Sequence, residues 1–132
     1  MRTKARETAF KILFAAQFSD NVDGMKRAII KQEELNENDV AYCNGILSTV
    51  NENKDRLVQI IDEHSRLFPE SGLFPADRSI LLIAIAEILF LDDIPPAVSV
   101  NEAANIASKY SSEKSATFVS GILSEIIREQ NV

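Results

Sequence analysis

The stretch "ILLIAIAEILF", Ile80 to Phe90, places ten apolar residues around a single carboxylate, Glu87. Three readings compete for a lone acid in the most hydrophobic part of a chain: a bilayer span, a catalytic acid, and a buried structural acid. The apolar run from Ile80 to Leu91 is twelve residues counting Glu87. A span needs about twenty, so this length fits a core helix and the bilayer reading fails. The proline-bearing loop "DDIPPAV" that follows stops the helix, because proline disfavours helical geometry in the residue before it.

Outward from that helix, apolar residues recur at helical spacing along nearly the whole chain. A first helix is expected over Thr3 to Phe18, with Ala5, Ala9, Ile12, Leu13 and Ala16 on one face. A second is expected over Met25 to Leu35. Asn36 is a plausible N-cap for a third, which carries Val40, Cys43, Ile46, Leu47 and Val50. A fourth apolar set is Leu57, Ile60, Ile61, His64 and Phe68. "FPESGLFPAD" collects two prolines and a glycine and is the clearest break. The opening stretch lies in a fifth helix, from about Asp77 to Leu91. In "SVNEAANIASKY", Ser99 and Glu102 match a capping box for a sixth. "SSEK" begins a seventh, striped by Phe118, Val119, Ile122, Leu123, Ile126 and Ile127. Four glycines, four prolines and no tryptophan argue against an all-β sandwich, which needs frequent turn signals. The expectation is an all-α protein of about seven helices in two small packed bundles, one domain over 1–132 with halves near 1–68 and 75–132.

The bulk numbers agree. The 132 residues suit one domain, and the 45% hydrophobic content suits a real core. The single cysteine, Cys43, rules out an internal disulfide framework and suits a reducing cytosol. The N-terminus has no apolar run of signal-peptide length. Net charge is −6, but Arg2, Lys4, Arg6 and Lys11 face only Glu7 within residues 1–11. The rest of the chain therefore carries −9, and a basic tip on an acidic body is an asymmetry that asks for a partner.

Catalytic constellations are thin. One histidine and one cysteine are too few ligands for a zinc site, and His64 on its apolar face reads as a core residue. No glycine-rich phosphate loop and no nucleophile–base pair occurs, so neither an enzyme nor a cofactor is expected. The first helix is more informative. Arg6, Phe10, Phe14 and Gln17 fall along one strip beside the Ile12/Leu13 face. A cation above two aromatics and an amide can hold single-stranded RNA by stacking and phosphate contact. The same residues fit packing between the two halves, with Arg6 solvated, and on chemistry alone that reading is the stronger.

Four segments in order and spacing weigh further: "ARETAFKILF", "DRSILLIAIAEIL", "DIPPAVSVNEAANIASKY" and "FVSGIL". Together they resemble the NusB transcription antitermination family across essentially the full chain. The most specific piece is Asp93 to Tyr110. The resemblance implies an all-α fold, no catalysis, and binding of the boxA element of nascent RNA together with NusE, a small-subunit ribosomal protein, on the RNA polymerase elongation complex. Such a protein acts chiefly on ribosomal RNA operons in the cytoplasm, as a monomer or a homodimer. The alternative is a diverged protein–protein module of the same fold that binds RNA weakly. The resemblance puts Arg2, Lys4 and Arg6 on the RNA surface, and Phe10, Phe14, Gln17, Phe118 and Ser120 join them as candidates. Phe14 stands where the family usually has tyrosine, Leu82 where it has arginine, Ala86 where it has tyrosine, and Ser120 where it has asparagine. Phe68 or Phe74 substitutes for a usual tryptophan. With Leu82 apolar, Glu87 needs another partner. The start of the sixth helix is expected to supply it, through the Ser99–Glu102 cap, the backbone N–H groups near Val100 and the Asn101 amide.

Overall fold

The structure, a computed structural model, describes residues 2–65 and 73–132. Seven helices follow in order: α1 (Thr3–Ala16), α2 (Val22–Glu33), α3 (Glu37–Glu52), α4 (Lys54–His64), α5 (Pro75–Phe90), α6 (Pro96–Tyr110) and α7 (Glu113–Glu129). No strand occurs among the described residues. No helix there is long and apolar enough to cross a membrane.

α5 organises the rest. Pro75 occupies its first turn, where a missing N–H costs nothing, so the helix starts two residues before the expected Asp77. Every residue from Ser79 to Ile88 is buried, as expected of a helix that is hydrophobic all round. It packs against α1, α3 and α4 on the N-terminal side and α6 and α7 on the C-terminal side. α6 and α7 form an antiparallel pair through Ala103, Ile106, Ala107, Val119 and Leu123. The small residues of α6 allow that close approach.

Local signals fix the other ends. Asn36 caps α3 by accepting from the Asp39 N–H at 2.8 Å, and Ser112 caps α7 by accepting from the Ser115 N–H at 3.0 Å. α2 begins at Val22 rather than Met25 because Asn21 accepts from the Gly24 N–H at 3.2 Å; a solvated first turn carries no apolar period to reveal it. That helix closes on Glu34, a non-glycine residue at φ 53°. Of the Cys43 series, Cys43, Ile46 and Val50 are fully buried, while Val40 and Leu47 are half-buried. Burial pushes the Cys43 thiol up to about 11. Leu57, Ile60, Ile61 and His64 are buried as one face of α4, whereas Phe68, expected in that set, lies outside the described residues.

The expected capping box is not formed. α6 begins at Pro96, three residues before Ser99, so Ser99 and Glu102 sit inside the helix. A proline at the first helical position is a rival start signal, and here it prevails.

Candidate nucleic-acid interface

The first turn of α1 splits its cations between two environments. Arg2 and Lys4 are exposed. Arg2 pairs with Asp93 across 3.4 Å, and its guanidinium lies 4.3 Å from the centre of the Tyr42 ring. Arg6, by contrast, is only 3% exposed. Its Nε donates to Glu87 Oε2 at 2.6 Å and its Nη1 to Glu102 Oε1 at 2.8 Å. Thr3 Oγ1 also donates to Glu102 Oε1, at 2.6 Å, and Ser99 Oγ donates to Glu87 Oε1 at 2.6 Å. Tyr42, from α3, donates its hydroxyl to Glu87 Oε2.

Glu87, which is 1% exposed, sits at the centre of this knot. It ties α5 to α6 through the Ser99 hydroxyl, not through the Val100 backbone or Asn101, whose side chain is on the exposed face. Its charge is met by Arg6, in place of the absent arginine at Leu82. Burial works against the Arg6 cation, yet the Glu87 bond and the surrounding negative charge hold its pKa above the ordinary value. Burial first, then the bond to Glu87, pushes the Tyr42 hydroxyl up to about 12. The placement of Arg6 on a solvated RNA-facing strip is therefore corrected. An exposed guanidinium is free for phosphate; this one is engaged by two buried carboxylates.

The rest of the strip also turns inward. Phe10 is 4% exposed. Gln17 Nε2 donates to the Pro75 carbonyl at 3.1 Å and to Ser79 Oγ at 2.9 Å, and its Oε1 accepts from Arg78. That clamp fixes the end of α1 against the start of α5. Phe14 is half-buried, as are Phe118 and Ser120 on α7.

What reaches the surface is an aromatic column. Phe10 packs on Tyr110 with ring centres 5.2 Å apart and on Phe14 at 5.8 Å, and Phe14 meets Phe18 edge-on at 5.4 Å. Phe18 is 67% exposed, Phe74 73% and Tyr110 36%. The Gln17 clamp brings this column to the start of α5, where Leu73, Phe74, Asp77, Lys114 and Phe118 line an open, mainly apolar groove of about 340 Å³. Inside it, Asp77 accepts from Ser115 Oγ at 3.2 Å, while its Oδ1 has no hydrogen-bond partner among the described residues. Burial raises the Asp77 pKa. Lys109 and Lys11 flank Tyr110 at 5.3 and 5.7 Å from its ring centre. Phe18, Lys109 and Lys114 escaped the sequence reading as surface candidates, and Phe74 entered it only as a stand-in for a tryptophan. The available signal was an aromatic beside turn residues, where a buried ring is least expected.

Most of the basic tip is already neutralised. Besides Arg2 and Arg6, Lys11 pairs with Glu33, and Lys109 pairs with Glu7 at 2.9 Å. Glu7 also accepts from the Tyr110 hydroxyl at 2.6 Å. Burial pushes the Glu7 pKa up, but the Tyr110 and Lys109 bonds outweigh it and hold that carboxyl below its ordinary value.

A helical body with its charged groups knotted inside and its aromatics and lysines gathered outside defines a binding protein. The NusB family profile matches residues 3–128, and the chain belongs to that family. The transcription antitermination protein NusB of Natranaerobius thermophilus is 37% identical, over 98% of this chain and 96% of its own. Its namesake in Ruminiclostridium cellulolyticum is 38% identical, over 95% and 87%. Among solved structures, Thermotoga maritima NusB superposes with a TM-score of 0.89 at 29% identity, covering 98% of this chain and 92% of that one. The crystal structure of antitermination factors NusB and NusE in complex with dsRNA matches with a TM-score of 0.88 at 25% identity, covering 97% and 96%.

Proposed function

We propose that this protein is a transcription antitermination factor, not an enzyme, that binds boxA RNA together with NusE on the RNA polymerase elongation complex. The observation that carries this reading is the full-length match to a NusB solved with NusE and dsRNA. A factor working on nascent RNA at a bacterial polymerase acts in the cytoplasm. The RNA-facing set is Arg2 and Lys4 from the basic tip, Phe14 and Phe18 from the column, and Phe74, Lys114, Phe118 and Ser120 around the groove. Arg6, Phe10 and Gln17 leave the contact list and position the helix that presents it. Exposed rings give bases a stacking surface, and the lysines give phosphates a counter-charge.

One observation favours the second reading, a NusB-like module with weak RNA affinity. Arg2, Arg6, Lys11 and Lys109 are each held by a carboxylate of the same chain, and the chain as a whole is at −6. The RNA interaction is accordingly weak alone and strengthened by a basic ribosomal partner. Such coupling is reciprocal, so RNA must raise NusE affinity by the same factor.

Titrating boxA RNA with and without NusE, and NusE with and without RNA, tests both readings. With Arg2 and Lys4 as the phosphate contacts of the tip, the log–log salt slope is near −1.4 for a single strand, about a sevenfold loss from 50 to 200 mM salt. Phe18→Ala lowers RNA affinity by about 1–3 kcal/mol and leaves the helical fold intact. Equal binding of boxA and a scrambled RNA refutes the RNA reading; identical affinities in all four arms refute the coupling.

A further inference from the structure

His64 ends α4, with its side chain 2% exposed. Its Nδ1 lies 2.8 Å from the Ile60 carbonyl oxygen. A carbonyl only accepts, so Nδ1 carries the ring proton. In the neutral imidazole Nε2 is then a bare lone pair, yet it faces Glu129 Oε2 at 2.7 Å. Two acceptors face each other at that distance only with a cation between them, either a second ring proton or a metal ion. Glu125, one turn earlier on α7, brings a second carboxylate. One ligand atom from each of the three residues lies within 4.8 Å of the others.

We propose that His64, Glu125 and Glu129 hold a divalent transition-metal ion of the zinc class. A proton joins Nε2 to one carboxylate; a divalent ion engages all three groups. Imidazole nitrogen with carboxylate oxygen suits zinc better than magnesium or calcium, which take oxygen ligands alone. A ligating histidine commonly donates its other N–H to a backbone carbonyl, which fixes its tautomer, and Ile60 does that here. Zinc bonds of about 2.0–2.2 Å at tetrahedral angles put ligand atoms roughly 3.3 Å apart. Glu129, whose side chain is 56% exposed, has room to withdraw by the half ångström or so this requires. Three protein ligands leave the fourth position to water. Counting histidine and cysteine alone in the sequence overlooked this set, because its carboxylates arrive from another helix. The ion joins α4 to α7 and involves no residue of the aromatic column or basic tip.

Calorimetric titration of chelator-treated protein with Zn²⁺ tests the proposal. One ion per chain is expected, insensitive to millimolar Mg²⁺, with the melting temperature rising on Zn²⁺ addition. Glu129→Gln and Glu125→Gln, both on side chains that reach the surface, each lower Zn²⁺ affinity by more than about tenfold. In ¹⁵N spectra, Zn²⁺ shifts the Nε2 resonance of His64 while Nδ1 stays protonated. Unchanged Zn²⁺ affinity in both variants assigns the ion to other surface carboxylates and overturns the proposal. Absence of Zn²⁺ binding, with Nε2 protonated throughout, leaves a proton-bridged pair and overturns it equally.

Discussion

Glu87→Gln keeps the shape of the buried acid and removes its charge. In the parent, one Glu87 oxygen receives Arg6 Nε and the Tyr42 hydroxyl, and the other receives Ser99 Oγ. A glutamine amide can keep the Arg6 and Tyr42 bonds on its one oxygen and donate its NH₂ to the Ser99 hydroxyl, but it carries no charge, so Arg6 keeps only Glu102 as a counter-charge. Breaking a buried ion pair from one side costs about 3–5 kcal/mol. Total stability for a domain is about 5–15 kcal/mol, so the variant stands near the edge of folding. At about 3–5 °C per kcal/mol for a chain of this size, the melting temperature falls by roughly 10–20 °C. Thermal unfolding followed by circular dichroism at 222 nm measures the loss. Arg6→Met combined with Glu87→Gln and Glu102→Gln removes all three charges and recovers a large part of it, because replacing a whole buried ionic group by neutral ones is far less costly than orphaning one partner. A melting temperature for Glu87→Gln within about 2 °C of the parent refutes the reasoning. So does a triple variant no more stable than the sum of the three single losses predicts.

Three further outcomes follow from the same geometry. Tyr42→Phe removes one donor from Glu87 and costs about 1–2 kcal/mol in urea unfolding, with no change in RNA affinity. Glu7→Gln lowers the melting temperature by about 2–3 °C at pH 7, a small effect because the pair with Lys109 is solvent-screened. The Glu7 carboxyl titrates below its ordinary value; its contribution is therefore present above about pH 4.3 and lost as pH falls through the folded value, so the gap between parent and variant narrows as the solution is acidified. Cys43, buried with a thiol pushed up to about 11, resists maleimide at pH 7.5, and its labelling rate in rising urea follows global unfolding.

The helices were legible because their signals are local. Asn36, Ser112 and the apolar spacing of α7 each act within one or two turns of chain, and the structure places caps and stripe where that spacing puts them. Boundaries failed where two local signals competed, as at α6, where Pro96 and Ser99 both mark a helix start. Arg6 failed for a different reason. Its partners stand 81 and 96 residues away, and nothing in the first helix distinguishes a solvated arginine from one that a sixth helix will cover. Phe10 differs, since packing between the halves was the stronger reading of its chemistry, and Tyr110 closes over it. Glu87 was legible as a buried acid because eleven residues of context allow little else. Its partner was not, because the alternatives lay on three different helices.

The bond from Arg6 to Glu102 also sets a timetable for the growing polypeptide. A ribosome adds about 5–20 residues per second, so α1 waits roughly 5–20 s after its own synthesis before residue 102 exists. Until residue 90 has been added, the faces of α1, α3 and α4 that pack on α5 are also without their central helix. The first half of the chain therefore lacks a complete core while it is being made, and its buried arginine gains its second carboxylate only with the sixth helix.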